Sequence, residues 1–131
     1  MGIFGGHGLG LADGRKAEPM PSTTLPHHKL IAYQLALEFV RLLARIRIGD
    51  ARLREQARKS ATSAALNAAE GAARFSRADK SRAYAIAAAE ACEAVAAVEI
   101  AGALGAASPH DVQAVVELGT RVKNVLSRLV R

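Results

Sequence analysis

Apolar residues recur at the three- and four-residue spacing of helices in four segments, which short polar or glycine-containing stretches separate. The first segment predicts a helix over about residues 27–47 that stops at Gly49. Asp50 is placed to cap a second helix, which continues to about Gly71. Because only a few residues join the two segments, we expect the helices to lie side by side.

The second half of the chain carries two clear helix start signals. Ser76 followed by Asp79 resembles a capping box that opens a third helix, which is predicted to end near Gly105. Ser108 and Pro109 supply the N-cap and the first residue of a fourth helix. Four helices with short connections predict an all-α fold, an antiparallel up-down four-helix bundle.

The first predicted helix is apolar around most of its circumference. At 100° per residue its polar side chains fall within a stripe of about 60°, and they are Gln34, Glu38, Arg41 and Arg45. A surface helix needs to bury a stripe only a little over ~100° wide. We therefore expect a second subunit to cover the remainder, because four short helices offer no central position that would hide it.

Composition supports the same expectation. Alanine occurs 29 times in 131 residues, against five aromatic residues and no Trp. Such a chain favours helices over sheets, and its alanine faces bury little area, so a lone bundle would be marginally stable. We predict a ring-like homo-oligomer. The single cysteine, Cys92, excludes an internal disulfide and suits a reducing cytoplasm.

Residues 1–26 differ from the rest of the chain. They hold six of the eleven glycines and three of the four prolines, which predicts a flexible arm ahead of a bundle over residues 27–131. The arm lacks the basic start and apolar stretch of a signal peptide. No apolar run approaches the ~20 residues that span a bilayer, so we expect a cytoplasmic protein without a membrane partner.

Polar side chains line one side of the second predicted helix, beside its alanine face. Five fall within about 40° of one line, namely Gln56, Ser63, Asn67, Glu70 and Arg74. We expect a half-buried, hydrogen-bonded structural polar ladder. Glu93 shares a face of the third helix with Ile86 and Ile100, which predicts a carboxylate held inside. Arg74 could pair with Glu70 or with Glu93.

Residues 56–74, QARKSATSAALNAAEGAAR, resemble the central signature of the four-helix-bundle proteins encoded in intervening sequences of large ribosomal RNA genes. That signature has Gln, two basic residues and then Ser-Ile-x-x-Asn-Ile-Ala-Glu-Gly-x-x-Arg. Residues 86–93, IAAAEACE, match its downstream Ile-Ala-x-Gly-Ser-x-x-Glu pattern, except that Ala-Glu replaces Gly-Ser. Residues 29–36, KLIAYQLA, look like the opening of the family's first helix.

This resemblance covers about residues 28 to 130 and implies a bundle assembled into a ring-like homopentamer. It also implies kinship with the accessory protein of diversity-generating retroelements, a basic pentamer that binds nucleic acid and a reverse transcriptase. Membership in this family does not imply an enzyme.

Basic residues concentrate in the middle of the chain. Residues 41–82 hold eleven Arg or Lys against four acidic residues, whereas residues 83–108 hold three Glu and no cation. Repeated around a ring, the basic segment would attract the phosphates of RNA or DNA. The residues assigned to this electrostatic surface are Arg52, Arg54, Arg58, Lys59, Arg77, Lys80 and Arg82.

Two alternatives to nucleic-acid binding stay open. The charges could belong to solvated helix faces, or the oligomer could be a scaffold whose basic rim docks a reverse transcriptase or another protein. The basic segment has few aromatic residues on which bases could stack, so any binding should address the backbone with little sequence preference. Phe75 is the exception, and it could instead pack over the start of the third helix.

The pattern of reactive residues argues against an enzyme. Carboxylates occur on all four predicted helices, but a di-iron bundle needs Glu-x-x-His pairs on two of them, and the sequence has none. Ser63 has no histidine at a spacing that would bring it within reach. Cys92 lies on an alanine-rich helix and is expected to be a small buried side chain. We predict no catalytic residues, no metal and no cofactor.

Overall fold

The computed structural model describes residues 24–131, and over that range the chain forms four α-helices and no strand. The helices are α1 (Ile31–Arg45), α2 (Ala51–Ala73), α3 (Arg77–Ala103) and α4 (Pro109–Arg128). The predicted all-α class with four helices is confirmed. Apart from its last three residues, the predicted arm over residues 1–26 lies outside the described range.

The start signals read from the sequence are all used as caps. Asp50, Ser76 and Ser108 each accept a hydrogen bond from the backbone N–H three residues later, at 2.9, 3.0 and 3.1 Å respectively. These bonds satisfy N–H groups that a helix start leaves without a partner. At the other end of α3, Gly105 adopts a φ of 75°, a left-handed conformation that glycine enters without strain.

The first helix is shorter than predicted at both ends. It does not begin at residue 27, because the preceding residues close a separate turn in which His28 Nδ1 accepts a hydrogen bond from the Leu25 backbone N–H at 2.9 Å. It ends at Arg45, two residues early. Ile46 and Ile48 then enter the core from the connection to α2, which an extended backbone allows and a continued helix would not.

The core combines large side chains from some helices with small ones from others. Most of the large buried residues lie on α1 and α4, and they are Leu35, Phe39, Leu42, Leu43, Val115, Val122 and Leu126. The buried faces of α2 and α3 consist mainly of alanine. A large side chain on one helix therefore fills the space that an alanine face on its neighbour leaves, as close packing requires.

The prediction that α1 needs a second subunit to cover it was wrong. Apart from Ile31, which is 60% exposed, every large apolar side chain of α1 is buried or half-buried within the subunit. The helix packs against both α2 and α4. On α4, Gly119 makes room for Phe39, since a Cβ at Gly119 would lie 3.2 Å from the Phe39 ring. Small neighbours thus let α1 bury a wider arc than a surface helix usually does.

The helix with an uncovered apolar face is α3. Its outward side chains are small or aliphatic, with interspersed glutamates, and the apolar ones are Ala85, Ile86, Ala89, Cys92, Ala96, Ile100 and Ala103. We call this set the α3 face. Glu93 is exposed on it, not held inside as predicted, because Ile86 and Ile100 on the same side also point outward. Cys92 is exposed as well, so its predicted burial was wrong.

Contacts between successive helices pair residues in opposite chain order. Tyr84, early in α3, lies against Gly71, late in α2, whereas Glu93, further along α3, meets Gln56, which is early in α2. Similarly, the backbone N–H of Arg131 donates to the Ser81 hydroxyl at 2.8 Å. Among residues 24–131, no helix combines the length and the hydropathy needed to cross a membrane.

Candidate nucleic-acid interface

The seven basic residues assigned to one surface fall into two groups along the subunit. Arg52, Arg54, Arg58 and Lys59 lie in the first half of α2, whereas Arg77, Lys80 and Arg82 lie at the start of α3. With 23 residues and a rise of 1.5 Å per residue, α2 is about 34 Å long. The two groups therefore lie toward opposite ends of α2 and do not form one patch within a subunit.

Two of the α2 arginines bind the backbone that precedes their helix. Arg58 donates from Nε to the Leu43 carbonyl at 3.0 Å and from Nη2 to the Ala44 carbonyl at 3.1 Å. Arg54 donates to the Ile48 carbonyl at 2.9 Å. These carbonyls lie at and beyond the end of α1, where a helix leaves acceptors unsatisfied. Arg54 and Arg58 therefore hold the α1–α2 connection in place.

The other two basic residues of this group are free. Arg52 and Lys59 are exposed, and neither makes a hydrogen bond or an ion pair within residues 24–131. Leu66, further along the same outward side of α2, is 66% exposed. This side of α2, which we call the α2 face, combines the two cations with Glu55 and one large apolar side chain.

At the α2–α3 turn, two cations are engaged by the protein itself. Lys80 donates from Nζ to the Gly71 and Ala72 carbonyls at 3.2 and 3.0 Å, and so caps the end of α2. Arg74 donates to the Glu70 carboxylate, from Nε at 3.2 Å and from Nη2. That hydrogen bond, together with the charge of Glu70, raises the pKa of Arg74 above its usual value.

Four arginines at this end of the subunit keep their side chains free. Arg77 and Arg82 belong to the start of α3. Arg128 is the last residue of α4, and Arg131 follows that helix, where its backbone N–H bonds to Ser81 beside the start of α3. All four are exposed, and none of their guanidinium groups has a partner among residues 24–131. We call these four residues the turn cluster. Sequence reasoning missed Arg128 and Arg131, because a contact across 50 residues leaves no local signal.

Phe75 extends from the same turn and is fully exposed, so the expectation that it packs over the start of α3 was wrong. A residue just before an N-cap commonly packs on the fourth residue of its helix. Here that residue is Lys80, whose amine instead reaches the carbonyls at the end of α2. Among residues 24–131, Phe75 therefore has no apolar partner.

The predicted polar ladder is a set of separate pairs. Gln56 Nε2 donates to Glu93 Oε2 at 2.8 Å and to the Ser60 hydroxyl at 2.9 Å. The bond between Gln56 and Glu93 joins α2 to α3. Ser60 is buried and was not singled out in the sequence, because its small side chain lies among alanines.

The remaining pairs are local to α2. Asn67 Nδ2 donates to the Ser63 carbonyl at 2.9 Å and to the Ser63 hydroxyl at 3.1 Å. Arg74 takes Glu70 rather than Glu93 as its partner. Gln56, Ser63 and Asn67 are half-buried, but Glu70 and Arg74 are exposed. Over residues 24–131, no three His, Cys, Asp or Glu side chains are grouped closely enough to hold a metal ion.

Comparison with known proteins places the chain in one family. No curated protein matches it at a significant level. A family model described as 23S rRNA-intervening sequence protein matches residues 28–128, which include all four helices. The chain therefore belongs to the 23S rRNA-intervening sequence protein family.

Proposed function

We propose that this protein is a non-catalytic, homo-oligomeric accessory factor that binds the backbone of RNA or DNA through the turn cluster. The observation that carries the proposal is the contact between the Arg131 backbone and Ser81, which brings the end of the chain, with exposed Arg128 and Arg131, to the part of α3 that carries exposed Arg77 and Arg82. Guanidinium groups make bidentate contacts to phosphates, and clustered positive charge raises the local concentration of a polyanion.

The subunit of the proposed oligomer is an up-and-down bundle, in which the opposite chain order of the helix contacts is the supporting observation. Copies join through the α3 face. A contiguous exposed apolar patch on a folded chain marks an interaction site. We propose a ring, with five copies as the number that the family resemblance favours.

Charge on the two outward faces favours contact between different surfaces of neighbouring copies. Beside the α3 face lie Glu93 and Glu99, and Arg82 lies at its first turn next to Ile86, so the net charge there is negative and two such faces placed together would repel. The α2 face carries Arg52, Lys59, Glu55 and the exposed Leu66, so its net charge is positive and it complements the α3 face in charge and in apolar character. Contacts between unlike surfaces generate closed rings when the rotation permits.

The absence of catalysis is part of the proposal. In the described chain the basic side chains are either exposed or engaged as helix caps, and the carboxylates of Glu70 and Glu93 are engaged in polar pairs on the surface. Exposed Cys92 lies on the α3 face without a histidine on the same helix. We further propose that the protein acts in the cytoplasm, where this thiol would stay reduced.

A salt titration of binding tests the nucleic-acid role. A labelled 20-nucleotide probe in fluorescence anisotropy should bind at low salt, and log K should fall linearly with log salt at about 0.7 to 0.9 per phosphate contacted. Arg77→Ala/Arg82→Ala should weaken binding and flatten that slope. The matched pair Arg41→Ala/Arg45→Ala removes the same charge from the exposed side of α1, outside the proposed contact between copies, and should change the slope less.

A probe that stays unbound at the lowest salt would overturn the nucleic-acid role. The protein would then be a scaffold that docks another protein, such as a reverse transcriptase, through the same rim. Equal loss of slope in both double variants would show that the charge acts from the whole surface and not from the turn cluster.

A further inference from the structure

An aromatic ring in the middle of a cationic surface sets the α2–α3 turn apart from every other exposed part of the described chain. Phe75 is fully exposed, and Arg74 and Arg77 flank it in the sequence. We propose that Phe75 is a stacking platform for an unpaired base, so that the turn cluster prefers single-stranded RNA or DNA to duplex. This inference rests on the proposed nucleic-acid role and adds the strandedness of the ligand.

The chemistry of a single strand fits both parts of this surface. A nucleotide outside a duplex offers a base face to an aromatic ring and a phosphate to an arginine, and that combination characterises binding sites for single strands. In a duplex the base faces are stacked inside, where a ring on a protein turn cannot reach them without disrupting the stack. A surface that read only phosphates would need the arginines and not the ring.

The position of Phe75 in the fold also favours a ligand contact. It precedes the N-cap Ser76, so its side chain extends from the connection and not from the body of a helix. The residue that would normally cover it, Lys80, is held by carbonyls at the end of α2. The Phe75 ring is therefore exposed because Lys80 packs against the end of α2 and not over the ring.

The electrostatics around the ring support an anionic ligand. The residues at this end of the subunit are Arg74, Arg77, Lys80, Arg82, Arg128 and Arg131, against the carboxylates Glu70 and Asp79. Arg74 neutralises Glu70 through a direct ion pair, and Asp79 stabilises the first turn of α3. The net charge beside Phe75 stays positive, which favours phosphate over an acidic or a neutral apolar partner.

Three matched probes separate stacking from phosphate contact. They are a 20-nucleotide oligothymidylate, the same strand with abasic sites in its central half, and a duplex of equal length. The full-length protein should bind the intact single strand most tightly. Phe75→Ala should weaken binding of that strand by about 5- to 150-fold, the range found for a base stacked on an aromatic side chain, and should leave abasic and duplex binding within about twofold.

Three further variants serve as controls, two that change the shape of the side chain at Phe75 and one that removes a charge beside it. Phe75→Tyr keeps a stacking ring and should retain the preference, whereas Phe75→Leu keeps an apolar side chain without the ring and should lose it. Arg77→Ala should weaken binding of all three probes together, since each carries phosphates. An oligouridylate probe compares RNA with DNA under the same conditions.

The possible outcomes distinguish failure of the proposed nucleic-acid role from failure of the stacking inference. If the unmodified protein binds none of the probes at low salt, the proposed function fails. If it binds all three equally and Phe75→Ala changes nothing, the backbone-binding role stands and the stacking inference fails. If Phe75→Ala lowers the oligomer mass in light scattering, the Phe75 side chain belongs to a contact between copies, and the stacking inference is again overturned.

Discussion

Helices α1 and α3 show how poorly the apolar content of a helix predicts what remains exposed. α1 carries large aliphatic side chains around most of its circumference, yet the subunit leaves Ile31 as its one exposed large apolar residue among those described. α3 is built mainly from alanine, and it keeps Ile86 and Ile100 exposed beside a row of small outward residues. The helix that looked in need of a partner is covered, and the alanine-rich α3 is not.

The difference follows from side-chain volume. Large side chains on α1 extend into the space above alanine faces and beside Gly119, so neighbours on both sides cover them. Alanines on α3 are too short to extend past the helix surface, and those on its outward side meet no other helix of the subunit. An apolar face of short side chains can therefore be buried only by a second surface that packs closely against it.

The largest effect is expected from Phe39→Ala, which would remove the main ring of the α1 core. Phe39 is fully buried, so the variant should lose about 3–5 kcal/mol of unfolding free energy, from lost burial and the cavity left behind. Urea unfolding at fixed protein concentration measures the loss. The control Ile31→Ala, at the exposed position of α1, should change stability by less than about 0.5 kcal/mol. Equal losses would show that α1 is not covered as described.

Gly119→Ala tests the close approach that lets α1 sink into the bundle. The added Cβ would lie 2.3 Å from Val95 Cγ2 and 3.2 Å from Phe39, and the resulting overpacking should cost about 1–3 kcal/mol. At Gly49 the nearest atom to an added Cβ is the Ala106 carbonyl oxygen at 3.6 Å, an ordinary contact. Thermal unfolding should therefore show a lower midpoint for Gly119→Ala than for Gly49→Ala. The opposite order would contradict this packing.

A smaller effect is expected from the arginine that caps α1. Arg58→Ala removes bonds to the Leu43 and Ala44 carbonyls and should cost about 1 kcal/mol. Arg41→Ala, on the exposed side of α1, removes a charge without a partner in the described chain and should be close to neutral. The comparison by urea unfolding separates basic residues that hold the fold from those that are available to a ligand. Equal costs would remove that distinction.

The smallest effect concerns Tyr84, the large buried side chain of α3. Burial against α2 raises its pKa above the ordinary value of 10.0. The folded state then keeps the phenol proton to higher pH than the unfolded chain, so stability falls as pH rises through 10. Tyr84→Phe has no phenol and lacks this loss. Unfolding free energies of the two proteins at pH 8 and above pH 10 should diverge in favour of the variant, and a constant difference would contradict the burial of the phenol.

Local signals in the sequence predicted much of the fold. Asp50, Ser76 and Ser108 cap their helices because capping depends on residues three apart. The start of α1 was misplaced because residues 25–30 form a turn with no cap at Leu30. The covering of α1 could not be predicted, since it depends on which neighbours are small at the positions that meet it.

The candidate site was less accessible to sequence reasoning. Charge counts identified Arg77 and Arg82 but could not separate them from Lys80, whose amine caps α2. Arg128 and Arg131 join the site through tertiary contact alone. The exposure of Phe75 depends on where a neighbouring amine points, which no spacing rule reveals.

The central claim is that copies meet through the α3 face. It is tested most directly by light scattering, at micromolar concentration, of the unmodified chain and two single variants. We expect the unmodified chain to have a mass that is a multiple of the 13.7 kDa subunit. Ile100→Asp, at a position 51% exposed on α3, should dissociate it, whereas Ile31→Asp, 60% exposed on α1, should leave the mass unchanged. A folded 13.7 kDa monomer before any substitution, or dissociation by the α1 variant alone, would contradict the claim.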